Sequence, residues 1–99
     1  MSRSDDAHGP VLAPVGELDL ASAPQLEEAL REVEVETYDR LLLDLSQLMF
    51  MDSTGLAVLV GANERADADG RRFALRAPTT QVQRLLALVG LVSHLVVEE

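Results

Sequence analysis

Four consecutive residues, Asp52, Ser53, Thr54 and Gly55, place a carboxylate and two hydroxyl groups directly before a long apolar run. A carboxylate beside a hydroxyl is a combination that acid–base or nucleophilic catalysis uses. The same residue types also cap helices, because Asp and Ser side chains accept hydrogen bonds from the first backbone N–H groups. A hydroxyl of this cluster is also a possible attachment point for a phosphate group. The surrounding sequence has to distinguish catalysis, capping and modification.

Known catalytic patterns do not fit the cluster. An aspartic-protease loop has one hydroxyl residue between Asp and Gly, whereas this cluster has two. A serine-hydrolase elbow, Gly-x-Ser-x-Gly, needs a glycine where this chain has Met51. A serine nucleophile also needs a histidine base, and the two histidines, His8 and His94, stand near the two ends of the sequence. No spacing of His, Asp and Glu resembles a set of metal ligands. We therefore expect no enzymatic activity, no metal and no cofactor.

The segments on either side of the cluster predict a strand and then a helix. Leu41–Leu45 is a short apolar run typical of a strand that is buried on both faces. The next apolar run continues into a polar stretch that ends at Gly70, and Leu56, Leu59 and Val60 keep helical spacing within it. The cluster then lies beyond the carboxyl end of a strand and at a helix N-terminus. Ligands of α/β proteins bind in such places, and the helix dipole there favours an anion.

The rest of the chain repeats this alternation. Further strands are predicted at residues 11–18, 71–77 and 94–99. A helix is predicted after Ser22, which fits an N-cap with Gln25 at the N3 position. Another helix is predicted after Pro78, with Gly90 as its C-terminal cap. Within the first of these strands, Pro14 predicts an edge position or an irregularity.

The predicted order of elements is therefore β-α-β-α-β-α-β. Strands joined by helical crossovers form a mainly parallel sheet with right-handed connections, with the helices packed against it. The fold class is α/β. The predicted domain spans residues 10–99, and residues 1–9 are predicted to be a flexible arm.

The composition restricts the possible functions further. The 99 residues suit one domain, and the net charge of −9 disfavours binding to nucleic acid or to anionic membranes. All eight basic residues are Arg, so mechanisms that need a phosphate-loop or Schiff-base lysine have no candidate. There is no cysteine, no apolar run long enough to span a bilayer, and no signal-peptide pattern. We expect a soluble cytoplasmic protein without membrane insertion.

Residues 41–60, LLLDLSQLMFMDSTGLAVLV, closely resemble the core signature of the STAS domain family, in particular of bacterial anti-sigma-factor antagonists. In that family a hydrophobic strand with an Asp leads through an apolar turn to Asp-Ser-Ser/Thr-Gly-Leu and a helix. GELD at residues 16–19 and the Pro78 segment that ends in Gly90-Leu91 are further similarities. The resemblance extends from Val11 to Val97 and implies the STAS fold for the domain.

The resemblance also implies a regulatory binding function. Such proteins bind an anti-sigma factor that is also a serine kinase, and they are phosphorylated on the serine after the Asp, which is Ser53 here. Thr54 is a second, less favoured acceptor. The phosphorylated form releases the kinase, which then captures its sigma factor, and a phosphatase restores binding. The resemblance implies that the partner-binding residues include Asp19, Asp52 and Gly55 together with the two hydroxyl residues.

Three questions stay open at this point. The chain could instead be a constitutive STAS subunit of a larger complex, such as a lipid transporter or a sensory scaffold, in which Ser53 only caps a helix. It could also be a small hydrolase that uses Ser53. The small size of Gly55 has two explanations, which are close approach by the kinase and tight packing of the helix onto the sheet.

Overall fold

The computed structural model describes residues 1–88 and 96–98. The elements in chain order are β1 (Ser2–Asp6), β2 (Gly9–Ala13), β3 (Gly16–Leu18), α1 (Ala23–Glu34), β4 (Arg40–Asp44), β5 (Leu48–Met51), α2 (Ser53–Ala68), β6 (Arg72–Arg76), α3 (Thr80–Leu88) and β7 (Val96–Glu98). The three helices start where the sequence predicts them to start, within a few residues.

The strands form two sheets. The main sheet has five strands in the order β1-β2-β4-β6-β7, and a second, short sheet consists of β3 and β5. Strands β2, β4, β6 and β7 run parallel, and so do β3 and β5, whereas β1 is antiparallel to β2. Parallel neighbours need crossover connections, and α1 and α2 lie in those between β2 and β4 and between β4 and β6. The predicted α/β class with a mainly parallel sheet is confirmed.

The core lies between the main sheet and the helices and is almost entirely aliphatic. Leu41 and Leu43 of β4 join Phe73 and Leu75 of β6 on this side of the sheet. The helical members of the same cluster are Leu26, Leu30 and Val33 of α1, Leu56, Leu59 and Ala62 of α2, and Val82 and Leu86 of α3. Burying one leucine side chain contributes about 1.5–3 kcal/mol, so leucines at helical spacing are sufficient to fix the helices on the sheet.

The opposite side of the main sheet carries a smaller buried cluster made of Val11, Leu42 and Ala74. Arg40 is only 4% exposed and forms an ion pair with Asp6 of β1. A buried arginine needs such a partner, because an unpaired charge removed from water is costly. The ion pair therefore links the first strand of the chain to the start of a central strand.

Strand β1 differs from the flexible arm that the sequence predicts for residues 1–9. Every residue of β1 is exposed, so apolar burial does not hold it in place. It is held by its pairing with β2 and by Arg3, which donates hydrogen bonds to both carboxylate oxygens of Glu36 at 2.7 Å. These bonds lower the pKa of Glu36, and the pKa of Asp6 is lowered chiefly by the hydrogen bond from the backbone N–H of His8. The contact of Arg3 with Glu36 joins residues 33 positions apart, so no local pattern in the sequence predicts it.

Other boundaries differ in smaller ways. The strand predicted at residues 11–18 is divided into β2 and β3 around Pro14, where the sequence indicates an irregularity. Strand β5 was not predicted. Gly70 follows α2 with a φ of +72°, a conformation that suits glycine after a helix end. Of the last predicted strand the structure describes Val96–Glu98, and two residues that the sequence analysis considers, Gly90 and His94, lie outside the described residues.

Candidate functional site

The short sheet of β3 and β5 brings two of the predicted site residues together. Leu18 pairs with Met51, and the backbone N–H of Asp52 donates to the carbonyl oxygen of Leu18 at 3.1 Å. Asp19 and Asp52 each follow the last residue of a strand. Neighbouring strands lie about 5 Å apart, and parallel strands end at the same edge, so both carboxylates belong to one small region of the surface.

Asp52 is the N-cap of α2. Its backbone is extended, and its side-chain Oδ1 accepts hydrogen bonds from the N–H groups of Thr54 at 2.9 Å and Gly55 at 3.1 Å. These bonds satisfy two of the four N–H groups that a helix leaves without an intrahelical partner. The predicted helix start at the cluster is thus present, with the aspartate as the capping residue.

The two hydroxyl residues differ in accessibility. Ser53 is the first residue of α2 and is exposed, whereas Thr54 is half-buried. The positive end of the helix dipole lies at this position. An enzyme that modifies a hydroxyl group at this helix start therefore reaches Ser53 more easily than Thr54.

Gly55 is buried where α2 meets the short sheet. A Cβ atom at this position would lie 2.7 Å from Leu18 Cγ, 2.7 Å from the Leu18 carbonyl oxygen and 2.9 Å from Met51 Cγ. Ordinary contacts of this kind are about 3.5–4.0 Å long. Packing of the helix onto the sheet is thus sufficient to explain why this residue is a glycine.

Asp19 organises the turn between β3 and α1. Its side-chain Oδ1 accepts hydrogen bonds from the N–H groups of Ala21 at 3.0 Å and Ser22 at 3.1 Å. The Ser22 hydroxyl donates to the Glu17 carbonyl oxygen at 2.7 Å and accepts from the Asp19 N–H at 3.0 Å. Ser22 is the N-cap residue of α1, as predicted, but its side chain makes no capping hydrogen bond, because this hydroxyl is engaged by the turn before the helix. Ser22 instead positions Asp19, a role that the sequence analysis did not assign.

A catalytic use of Ser53 gains no support from His8. This histidine precedes β2, and its carbonyl oxygen accepts hydrogen bonds from Asp39 and Arg40 at the start of β4. It therefore lies at the amino end of the parallel strands, whereas Ser53 lies beyond their carboxyl ends. Within residues 1–88 and 96–98, no group of three or more His, Cys, Asp or Glu side chains could hold a metal ion.

Large exposed apolar side chains lie close to the two carboxylates in the sequence. Leu20, next to Asp19, is 75% exposed, and Met49 and Phe50, shortly before Asp52, are 58% and 49% exposed. The sequence analysis assigned none of them a role. The available signal was three consecutive large apolar residues, Met49–Met51, before a polar helix start and outside any predicted strand.

The sequence was compared with the profiles of known protein families. The sequence profile of the STAS domain matches residues 2–98. The chain belongs to the STAS domain family. The anti-sigma-B factor antagonist of Listeria monocytogenes is 36% identical over 76 residues, which cover 77% of this chain and 67% of the relative. The anti-sigma-F factor antagonist RsfB of Mycobacterium tuberculosis is 36% identical over 81 residues, which cover 82% and 66%. The chain spans about two thirds of the length of these curated relatives.

Solved structures share the fold of this STAS domain. An anti-sigma factor antagonist from Mycobacterium paratuberculosis matches with a TM-score of 0.87 and 28% identity over 97% of this chain and 81% of that chain. Unphosphorylated SpoIIAA, another anti-sigma factor antagonist, matches with a TM-score of 0.81 and 20% identity over 99% and 87%. A sulfate transporter family protein from Wolinella succinogenes matches with a TM-score of 0.75 and 21% identity over 86% and 69%. The last two likenesses show the fold alone, and the same fold serves proteins with different names.

Among the described residues, no helix has both the length and the apolar character needed to cross a bilayer.

Proposed function

We propose that this STAS domain is an anti-sigma factor antagonist that binds an anti-sigma factor serine kinase and is released when the kinase phosphorylates Ser53. The observation that carries the proposal is the exposed Ser53 at the start of α2, flanked by two carboxylates, in a chain whose relatives are named as antagonists. The domain acts by binding and not by catalysis, in the cytoplasm. A phosphatase that acts on phospho-Ser53 restores binding, and the cycle sets how much sigma factor is available for transcription.

The capping geometry supports a switch that works by charge. A phosphate group on serine adds about −1.5 to −2 charges at pH 7. At many helix starts, free N–H groups can hold such an anion. Here the N–H groups of Thr54 and Gly55 already donate to Asp52. The phosphate on Ser53 therefore either competes with the Asp52 carboxylate or extends into solvent beside it, and in both cases the local negative charge increases.

This added charge matters most when a partner covers the site. In the free domain, water solvates the phosphate because Ser53 is exposed. In a complex, a partner surface shaped for a neutral serine would bury the phosphate next to Asp52 and Asp19. Burying an uncompensated anion costs several kcal/mol, which is sufficient to dissociate a complex of ordinary affinity. No large rearrangement of the domain is needed for release.

The test uses the purified domain and each anti-sigma serine kinase of its source organism. We expect one kinase to bind the domain without ATP and to release it when ATP is added, with phosphate found on Ser53 by peptide mapping. Ser53→Ala should bind but resist release, and Ser53→Asp should bind weakly. Ser4→Ala is the control, because it removes the hydroxyl group of an exposed serine of β1, outside the site, and should leave both binding and release intact.

The other outcomes separate the alternatives. Tight binding of Ser53→Asp, equal to that of the unmodified domain, would disprove the charge mechanism. A stoichiometric complex that ATP does not dissolve would favour a constitutive subunit of a larger assembly. Labelling of Ser53 by a fluorophosphonate probe in the native protein, and not after unfolding, would favour a hydrolase.

A further inference from the structure

An irregularity in β5 exposes two large apolar side chains next to the candidate site. In a regular strand, successive side chains point to opposite faces. Here Gly16 pairs with Leu48 and the next residue, Glu17, pairs with Phe50, so Met49 is an extra residue in β5. A bulge of this kind changes the direction of a side chain and is frequent beside functional sites. As a result both Met49 and Phe50 are about half exposed.

These side chains line an open groove between the short sheet and α3. The lining residues are Glu17 of β3, Met49, Phe50 and Met51 of β5, and Gln81, Arg84 and Leu85 of α3. The apolar members lie together, and three polar or charged side chains accompany them. An apolar centre with a polar margin is the usual composition of a binding surface between proteins. We call the apolar part of this groove, made of the exposed Met49 and Phe50 and the half-buried Leu85, the β5 patch.

We propose that the β5 patch is the anchor of kinase binding and receives an apolar side chain of the kinase, whereas Ser53 and its carboxylates provide the switch. This inference rests on the proposed function. It assigns affinity and regulation to two different groups of residues on one continuous surface. Aromatic side chains such as Phe50 are frequent centres of binding energy at interfaces.

Continuity along the chain indicates that one partner covers both groups. Phe50 precedes Ser53 by three residues, and strand geometry limits their separation to about 10 Å. A stable interface buries about 800 Å² on each partner, which is far larger than the area around one serine. A kinase docked with its active site at Ser53 therefore extends over neighbouring surface, and the β5 patch is the apolar part of that surface.

Charge argues against a second copy of this chain as the occupant. Each copy carries a net charge of −9 at pH 7, and Glu17, Asp19 and Asp52 are close to the patch. Self-association through this surface would bring like charges together, which costs energy that the small patch has to supply. A kinase surface with apolar side chains among neutral or basic residues has no such cost.

The test measures affinities for the kinase that phosphorylates Ser53 in the assay described above. Phe50→Ala should weaken binding by about 10- to 30-fold, the effect of removing a central aromatic anchor. Met49→Gln is a second variant in the same patch and should also weaken binding. Val35→Ala is the control, because Val35 is 86% exposed at the far end of α1, and its affinity should stay within about twofold. Thermal unfolding of each variant checks that the domain remains folded.

Combining the variants tests the division into anchor and switch. If the two groups act independently, Ser53→Asp should weaken binding by the same factor whether residue 50 is Phe or Ala. Unchanged affinity of both Phe50→Ala and Met49→Gln, with Ser53 still phosphorylated and release intact, would disprove the anchor and leave the proposed function standing. If no kinase phosphorylates Ser53, the proposed function fails and the anchor fails with it. A dimer in analytical ultracentrifugation that Phe50→Ala dissociates would identify a second copy as the occupant and disprove the proposal.

Discussion

Replacing Gly55 by alanine tests whether packing fixes this position. The new methyl group would lie at 2.7–2.9 Å from three atoms, and one of them is the carbonyl oxygen of Leu18. That oxygen cannot move independently, because it accepts the hydrogen bond from the Asp52 N–H. The side chain of Leu18 is 2% exposed and is enclosed by the core. The overlap is therefore relieved only by moving the start of α2 away from β3.

The size of the effect follows from two opposing contributions. Forcing an extra methyl group into a closely packed site costs about 1–3 kcal/mol. Alanine recovers up to about 1 kcal/mol because it has a higher helix propensity than glycine. We expect Gly55→Ala to lower the free energy of unfolding by about 1–2 kcal/mol, which corresponds to a fall in Tm of about 5–15 °C for a domain of this size.

Gly61 in the same helix provides a matched control. A Cβ atom at this position meets only Arg65 Nη1, at 3.3 Å, and that atom is the end of a flexible side chain. Gly61→Ala should therefore leave stability unchanged or increase it by up to about 1 kcal/mol. Urea unfolding of both variants measures the difference. Equal stability of the two variants would show that the contact between Gly55 and Leu18 is unimportant, and the kinase would then be the better reason for the small residue.

Two further predictions concern Asp52 and the attachment of β1. Asp52→Ala should lower the free energy of unfolding in urea by about 1 kcal/mol, because it removes the side chain that accepts from the N–H groups of Thr54 and Gly55. Asp52→Asn should lower it by only a few tenths of a kcal/mol, since Asn is an equally good N-cap. Equal losses for the two variants would mean that the charge of Asp52, and not its capping hydrogen bonds, stabilises the helix. Glu36→Gln should destabilise the domain at pH 6, and the difference in the free energy of unfolding should shrink as the pH falls below 4.5. The reason is that Arg3 holds the pKa of Glu36 below its ordinary 4.5, so the stabilisation is fully present above that value and is lost as the pH falls through the lowered pKa. A difference that grows as the pH falls below 4.5 would contradict this.

Local patterns in the sequence were sufficient to predict the helices and the central strands. Leu26, Leu30 and Val33 keep the spacing of one helix face, and the structure buries all three. The run from Leu41 to Leu43 is apolar without alternation, and each of these residues is buried in the sheet interior. The helix start at residues 52–55 was also predictable, because aspartate and serine before an apolar run are a local capping signal.

The remaining features depend on contacts that no local pattern records. The residues of β1 are polar, and their attachment needs Arg3 to meet Glu36 across 33 positions. Strand β5 is only four residues long, and its extra residue, Met49, conceals the alternation that identifies a strand. Ser22 has the sequence context of a helix cap, yet its hydroxyl bonds within the preceding turn. For β1 and β5 a contact between distant parts of the chain overrides the local preference, whereas for Ser22 a hydrogen bond within the neighbouring turn does so.

The construction of the site explains why phosphorylation of Ser53 would change binding more than it changes the domain. Asp52 and Asp19 both accept hydrogen bonds from nearby backbone N–H groups, so these donors are already in use when a phosphate is added. The packing of Gly55 against Leu18 fixes the start of α2 on the short sheet. Because the N-terminus of α2 is fixed by packing and already capped, the backbone has few ways to rearrange around the charge of an added phosphate. The added charge then acts outward on whatever covers the exposed serine, and this is the behaviour that a partner-release switch requires.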